Sequence, residues 1–167
     1  SNFGLVQVKN PEAEPTFRIW QNDKNNPAFF NTDWILSIYP DPKTLDVVWI
    51  GLRGGGLARF DARTQTTKYF TAKDGLVNNV IYGILPDSFG YFWLSTNQGL
   101  SRFDPNNQTF YNYNKVEPAI DIEFNTGGHG YTPFGELAFG GIEGLFVVRP
   151  NGAPQMPAPL AVLVTDV

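Results

Sequence analysis

The stretch FWLSTNQGLSRFDP, residues 92–105, repeats an earlier stretch of the chain, VVWIGLRGGGLARFDA at residues 47–62. Both contain, in the same order, a tryptophan, a Gly-Leu pair and Arg-Phe-Asp. Four Gly-Leu pairs that are each followed by a strand-like run occur at intervals of 52, 43 and 45 residues, beginning at Gly4, Gly56, Gly99 and Gly144. Because several landmarks stay in register over three periods, the pattern indicates an internal structural repeat.

Each period reads as four short strands separated by turns. The best-defined copy consists of VIYGILPD (80–87), YFWLST (91–96), LSRFD (100–104) and TFYNYN (109–114), with Asp, Gly, Asn and Pro between them. No window has a helical apolar period longer than about two turns. We therefore expect an all-β fold of β-propeller blades, each of four antiparallel strands, with about three blades of a larger propeller. A β-sandwich is the competing architecture, but it does not require this sequence period.

The stretch from Val48 to Tyr113 resembles the two-component regulator propeller repeat. That repeat reads approximately Leu-Trp-Ile-Gly-Thr, a turn, Gly-Leu-x-Arg-Phe-Asp-Pro, an aromatic strand, then Asp-Gly-Leu. The chain departs from it at Leu52, where the family prefers Thr, and at Ala138, where it prefers an aromatic residue. Residues 123–150 look like the final blade of these sensors. The stretch PAPLAVLVTDV (157–167) is similar to the first strand of the β-sandwich called the Y_Y_Y domain.

The resemblance implies how the chain is organised and what it belongs to. We expect a propeller fragment over 1–152, with blade repeats around 17–61, 67–104 and 109–150, then a linker and the first β-sandwich strand over 153–167. Family members are transmembrane regulators, commonly hybrid histidine kinases, and several of their periplasmic propellers respond to oligosaccharides. The resemblance thus implies a periplasmic, non-catalytic sensor segment that relays a signal to a downstream kinase and reaches the membrane only through the parent protein.

Composition narrows the classes of partner. The chain has 167 residues and a net charge of −4, so we expect no nucleic-acid partner, which would require a basic surface. No apolar run approaches the roughly 18 residues that span a bilayer. Cysteine is absent, which excludes disulfides and thiolate catalysis. We also expect no cofactor.

Most of the motifs that suggest chemistry have a simpler structural interpretation. The RGGG stretch (53–56) lacks the Gly-Lys-Ser/Thr ending of a phosphate-binding loop, so a plain turn is the better interpretation. His129 is the single histidine of the chain, and no second histidine can share a metal ion with it. Asp61 and Asp104 recur at the ends of equivalent strands, as turn-capping residues would. We therefore predict no catalytic set and no metal site.

One pair of carboxylates keeps an enzymatic alternative open. Asp121 and Glu123 are two residues apart, which on a strand places both on one face. Glycosidases use two carboxyl groups at comparable separations. A propeller-fold polysaccharide hydrolase or lyase is therefore the alternative to a sensor, and a purely structural blade set that serves dimerisation is a third possibility.

The best candidates for ligand binding are residues that break the repeat. Loops between the second and third strands share one face of a propeller with the connections between blades. The predicted ligand-binding residues are Arg53, Asn97, Gln98, Phe29, Phe30 and Trp34. Aromatic rings beside amide and guanidinium donors suit the faces and hydroxyl groups of sugars. Phe29 and Phe30 have an alternative role, which is to pack beneath their own loop.

An open set of blades should also expose sheet edges and apolar faces. Three blades cannot close a ring, so we expect self-association through the blade edges.

Overall fold

The computed structural model describes residues 4–23, 30–113 and 122–150, which form strands with one short 3-10 turn. The strands are β1 (Leu5–Lys9), β2 (Thr16–Trp20), β3 (Ile35–Pro40), β4 (Val47–Leu52), β5 (Gly56–Asp61), β6 (Thr66–Phe70), β7 (Ile81–Pro86), β8 (Phe92–Thr96), β9 (Gly99–Asp104), β10 (Thr109–Asn112), β11 (Phe124–Tyr131), β12 (Leu137–Gly141) and β13 (Gly144–Val148). The 3-10 turn is Ala72–Asp74. None of the helical structure in these residues is long and apolar enough to span a membrane.

The strands form a row of separate antiparallel sheets. We call β3–β4–β5–β6 blade A, β7–β8–β9–β10 blade B and β11–β12–β13 blade C, and β1–β2 the N-terminal hairpin. Within each sheet, every strand pairs with the strand next to it in the sequence. The first strands β3, β7 and β11 contact one another. The predicted all-β fold with four-stranded propeller blades is therefore confirmed, and the four strands predicted for residues 80–114 correspond to β7–β10.

The sheets differ in phase from the predicted repeats. Blades A, B and C extend over 35–70, 81–112 and 124–148, whereas the repeats predicted around 17–61, 67–104 and 109–150 each begin one strand earlier. A sequence period does not define which strand begins a blade, because a shift by one strand leaves the period unchanged. The predicted linker and β-sandwich strand at 153–167 lie outside the described residues, so these domain boundaries stay predictions.

The core lies between the sheets, because one small sheet cannot bury both of its faces. Trp49 of blade A contacts Phe92 and Phe103 of blade B, with ring centroids 5.2 and 5.5 Å apart. Trp93 of blade B belongs to the cluster that includes Phe139 of blade C. Both tryptophans are almost fully buried and fill the space between neighbouring blades, as the repeat indicated.

The recurring Gly-Leu glycines have a common backbone role. All four have positive φ, which only glycine adopts without strain: Gly4 (81°), Gly56 (77°), Gly99 (89°) and Gly144 (131°). The Gly56 amide donates to the Asn79 carbonyl (2.9 Å), and the Gly99 amide donates to the Ile122 carbonyl (2.8 Å). Gly56 and Gly99 thus each join the start of their strand to the chain that enters the next blade.

The recurring aspartates cap turns, as predicted. Asp61 Oδ1 accepts from the amides of Arg63 (2.8 Å) and Thr64 (3.0 Å). Asp104 Oδ1 accepts from the amides of Asn106 (2.8 Å) and Asn107 (3.2 Å). The hydrogen bond from the Thr64 amide leads the effects that lower the pKa of Asp61, because it favours the charged carboxylate.

Candidate functional site

Four of the predicted binding residues lie around one end of the blades, which we call the upper end: Trp34, Arg53, Asn97 and Gln98. It contains the turns between second and third strands, residues 53–55, 97–98 and 142–143, and the connections that enter β7 and β11. The opposite, lower end contains the turns 41–46, 87–91 and 132–136. The upper end therefore combines side chains from blades A and B with the segment that enters blade C.

Arg53 and Trp34 contact each other at the upper end of blade A. The guanidinium carbon of Arg53 is 4.8 Å from the centre of the Trp34 ring, which is cation–π geometry. The Arg53 amide also donates to the Trp34 carbonyl (3.0 Å), which holds these two segments of the backbone together. The Trp34 side chain is 43% exposed and Arg53 is exposed, so this pair faces solvent.

Tyr82 connects Asn97 to Glu123. Its hydroxyl contacts Asn97 Oδ1 at short hydrogen-bonding distance and donates to Glu123 Oε1 at 2.9 Å. Burial, followed by the hydrogen bond and the negative charge of Glu123, raises the pKa of Tyr82, while the charge of Arg53 lowers it. The Arg53 backbone pairs with Val80, two residues before Tyr82, so the two groups belong to neighbouring parts of the upper end. We call Trp34, Arg53, Tyr82, Asn97 and Glu123 the upper site.

Tyr82 and Glu123 were not among the predicted site residues. Tyr82 lies in VIYGILPD, which reads as a strand of the repeat, so its hydroxyl gave no sequence signal of its own. Glu123 was considered only as one of a carboxylate pair.

Gln98 lies at the edge of the upper site, and Phe30 lies in the core. Gln98 is exposed, and its Oε1 accepts from Asn78 Nδ2 (3.1 Å) at the edge of the upper site. The Phe30 ring is 1% exposed and packs on Phe60 at 5.1 Å between centroids, which is the alternative role of packing beneath its loop. Phe29 lies outside the described residues. The structure thus places Arg53 against Trp34, Asn97 against Tyr82 and Gln98 against Asn78.

The residues that suggested catalysis or metal binding are separate features. Glu123 is exposed and bound to Tyr82, while Asp121 lies outside the described residues, so their separation is undefined. His129 lies on β11 against Gly83, where burial lowers its pKa. Within residues 4–23, 30–113 and 122–150, no three acidic or histidine side chains are grouped as a metal ion would require.

The upper site combines side chains of several chemical types. It presents one exposed indole ring, a guanidinium group, a carboxylate, a phenol and an amide. The positive and negative charges balance, so a ligand needs no net charge to bind there. An aromatic face with surrounding donors and acceptors is the arrangement that binds sugar rings in proteins.

Comparisons with solved structures give the same fold. The extracellular domain of BT3049 from B. thetaiotaomicron, described as a hybrid two-component system, matches 81% of this chain with a TM-score of 0.66 and 16% identity. The corresponding domain of BT4673 from the same organism matches 80% with a TM-score of 0.62 and 20% identity. PorZ of Porphyromonas gingivalis, a surface component of the type-IX secretion system, matches 98% with a TM-score of 0.61 and 19% identity.

These matches concern part of much larger proteins, since the chain corresponds to 18%, 19% and 20% of the three solved chains. No curated protein sequence matches it. The family model described as "Two component regulator propeller" matches residues 75–98, which cover β7, β8 and the turn before Gly99. The chain therefore carries a repeat of the two-component regulator propeller family, as its sequence indicated.

Proposed function

We propose that this chain is the propeller segment of a periplasmic sensor in a two-component regulator, and that it binds an oligosaccharide at the upper site. The sensor relays binding to a kinase elsewhere in the parent protein. The observation that carries the proposal is the joining of Arg53, Trp34, Tyr82, Asn97 and Glu123 from two blades and the entry to a third. A ligand held there contacts several blades at once.

Contact with several blades gives a physical route for a signal. Blades A and B meet through packed rings, and each is joined to the next connection by a glycine amide, Gly56 or Gly99. A ligand that bridges Arg53 and Glu123 favours one relative arrangement of the blades, because its binding energy depends on both contacts. The resemblance to extracellular domains of hybrid two-component systems supports both the sensor role and the location outside the inner membrane.

A structural role is the second candidate, and PorZ supports it. PorZ is described as an essential surface component of a secretion system, and the match covers 98% of this chain. The same arrangement of blades thus occurs in a protein of a different description. In that role the upper site would stabilise contacts between blades, and no oligosaccharide would bind.

Calorimetry of the complete ectodomain against a panel of oligosaccharides tests the proposal. We expect one class of oligosaccharide to bind, and we expect Arg53→Ala to weaken that binding at least tenfold, which is about 1.4 kcal/mol. Arg63→Ala is the matched control, because Arg63 is an exposed arginine in the turn between β5 and β6 at the lower end. Absence of binding to any oligosaccharide, or equal loss in both variants, contradicts the proposal.

A further inference from the structure

Asn78, in the connection that enters β7, has a side-chain amide whose direction is fixed by the backbone. The Val80 amide donates to Asn78 Oδ1 at 2.8 Å. Because a backbone N–H group can only donate, the oxygen of Asn78 faces Val80 and its NH2 group faces the other way. That NH2 group donates to Gln98 Oε1 at 3.1 Å. Asn78 thus transmits a fixed hydrogen-bond direction from the backbone to the turn between β8 and β9.

The bond from Asn78 determines which part of Gln98 can meet a ligand. Gln98 is exposed, and its Oε1 is occupied by Asn78. Its Nε2 makes no hydrogen bond to any residue in the described parts of the chain. The polar group that Gln98 presents to a ligand is therefore an NH2 group, which can only donate.

Glu123 presents the opposite polarity beside Gln98. The amide of Gly99, directly after Gln98, donates to the carbonyl of Ile122, directly before Glu123, at 2.8 Å. The two residues thus flank one backbone hydrogen bond. Glu123 is exposed, and the Tyr82 hydroxyl donates to its Oε1, which leaves Oε2 for a ligand. An ionised carboxylate can only accept hydrogen bonds.

A fixed donor beside a fixed acceptor is the complement of a secondary amide. An amide has a carbonyl oxygen that only accepts and an N–H group that only donates, whereas a hydroxyl does both. Gln98 Nε2 suits the carbonyl, and Glu123 Oε2 suits the N–H group. A sugar hydroxyl can bind a donor or an acceptor, so it would not need the fixed direction that Asn78 imposes on Gln98.

We propose that the upper site, with Gln98 at its edge, binds an oligosaccharide that carries an acetamido group, and that Asn78 is the positioning residue that selects this group. The inference rests on the proposed function and names the class of sugar. Gln98 Nε2 donates to the acetamido carbonyl, and the acetamido N–H donates to Glu123 Oε2. A sugar that lacks the acetamido group binds less tightly, because a site built for a directed hydrogen bond rejects an analogue without that group.

Calorimetry of the complete ectodomain with matched sugars tests the inference. The probes are oligosaccharides of N-acetylglucosamine, N-acetylgalactosamine and N-acetylmannosamine, each paired with the oligosaccharide of the same linkage that has a hydroxyl in place of the acetamido group. We expect at least one acetamido sugar to bind on the order of tenfold more tightly than its hydroxyl counterpart. If no acetamido sugar binds, or if both members of every pair bind equally, the inference is overturned.

Asn78→Asp reverses the direction of the hydrogen bond to Gln98. The new carboxylate still accepts from the Val80 amide, but it also accepts from Gln98, whose amide oxygen then faces the ligand. We expect the ratio of the two affinities to fall to about one, a change that a general loss of stability would not produce. Asn79→Asp is the matched control, because it makes the same charge change at a neighbouring residue whose Oδ1 accepts from the Ala72 amide at 2.8 Å. Loss of the preference in both variants, or in neither, overturns the inference.

Gln98→Glu is a second variant that leaves Asn78 intact. Its carboxylate accepts from Asn78 Nδ2 and offers the ligand an acceptor in place of a donor. We expect the same loss of preference for the acetamido sugar. Gln108→Glu is the control, since Gln108 is an exposed glutamine in the turn between β9 and β10 and its Oε1 accepts from Lys68. A preference that Gln98→Glu leaves unchanged also overturns the inference.

The outcomes separate this inference from the proposed function. If only sugars without an acetamido group bind, and Arg53→Ala weakens that binding, the oligosaccharide site is supported and the acetamido assignment is overturned. If no oligosaccharide of any kind binds, the proposed function itself is contradicted. Binding of an N-acetylated peptide without binding of any acetamido sugar also overturns the inference, because a peptide then supplies the amide group.

Discussion

The indole nitrogen of Trp93 donates a hydrogen bond to Asp87 Oδ2 at 3.0 Å, and the same oxygen receives the guanidinium of Arg102 at 2.7 Å. Blade A repeats the indole contact, with Trp49 Nε1 2.9 Å from Asp41 Oδ2. In blades A and B, the first turn is thus fixed to the tryptophan of the second strand. The conspicuous tryptophans of the repeat have a polar role as well as a packing role.

Replacing Asp87 tests how much the buried ion pair contributes. Asp87→Asn preserves the shape of the side chain but leaves the Arg102 charge without its partner, and both side chains are at most 2% exposed. Loss of one member of a buried pair costs about 3–5 kcal/mol. We expect the free energy of unfolding, measured with urea, to fall by that amount.

Asp41→Asn is the matched control in blade A. There Arg59 Nε is 3.9 Å from Asp41, and the Arg59 side chain is 34% exposed, so the pair resembles a surface salt bridge worth about 1 kcal/mol or less. An equal fall in the free energy of unfolding in the two variants would show that the buried pair of Arg102 and Asp87 contributes no more to stability than the exposed pair.

Gly54 and Gly56 lie in one turn, and replacing each by alanine distinguishes the cost of backbone strain from the cost of a steric clash. Gly54 and Gly56 have φ of 84° and 77°. A Cβ at Gly54 meets nothing within 4 Å, whereas one at Gly56 collides with the Phe70 carbonyl. We expect Gly54→Ala to cost about 1 kcal/mol through φ alone, and Gly56→Ala to cost a further 1–3 kcal/mol or so. Thermal unfolding of both variants measures the difference, and similar costs would contradict the close approach of β5 and β6.

The single histidine should make stability depend on pH. Burial lowers the pKa of His129 below its ordinary value of 6.5, since the charged imidazole is poorly solvated against Gly83. As pH falls through about 6.5, the unfolded chain takes up a proton that the folded chain does not, so the free energy of unfolding decreases. Above that pH the two states bind the same number of protons and this effect vanishes.

His129→Gln should remove the dependence, because glutamine does not titrate. Unfolding measured at pH 7.5 and 5.5 checks this: the wild-type chain should lose stability between these values, and the variant should lose less. An NMR titration of the one imidazole should also give a pKa below 6.5. A variant with the same pH dependence as the wild type would rule out His129 as its source.

The N-terminal hairpin should drive self-association of the isolated chain. Val6 is opposite Ile19, and Val8 is opposite Phe17, so the four side chains form one continuous face. Their exposed fractions are 48%, 59%, 45% and 66%. On blade A the equivalent face, which includes Phe60, is covered by Trp20 of the hairpin. An uncovered apolar face of this kind favours association.

Light scattering measures that association. We expect the chain to form dimers or larger species with increasing concentration, and Phe17→Ser with Ile19→Ser to weaken this. Phe134→Ser is the control, since Phe134 is 89% exposed but lies on the lower turn of blade C. A monomer at high concentration, or an equal effect of the control, would contradict self-association through the hairpin.

The repeat predicted those features that recur identically in each blade. The strands of blade B, the positive φ of Gly99 and the turn-capping role of Asp104 all follow from a pattern that local sequence encodes. The contact between Asp41 and Trp49 was missed, because the longer turn DPKTLD hides its equivalence to Asp87. Local sequence does not report which blade faces which.

The upper site likewise contains residues that the sequence pattern singled out and residues that it did not. Arg53, Trp34 and Asn97 were selected because they interrupt the repeat. In the structure Arg53 contacts Trp34, and Asn97 contacts Tyr82. Tyr82 follows the strand pattern, so its hydroxyl was read as part of the blade. Phe30 interrupts the repeat in the same way as Trp34, but it lies in the core between Phe60 and its own loop. Phe30 shares a buried cluster with Trp20 of the hairpin and Phe60 of blade A, and a local sequence pattern does not report such contacts between sheets.

Hydrogen–deuterium exchange of the complete ectodomain, with and without the oligosaccharide that binds best, tests the central claim most directly. We expect protection in peptides that contain Arg53, Tyr82 and Asn97, and no change in peptides from the lower turns 41–46, 87–91 and 132–136. Tyr82→Phe should abolish the protection, whereas Tyr131→Phe, whose hydroxyl bonds to the Pro86 carbonyl at the lower end, should retain it. Protection confined to the lower turns, or unchanged by Tyr82→Phe, would contradict ligand binding at the upper site.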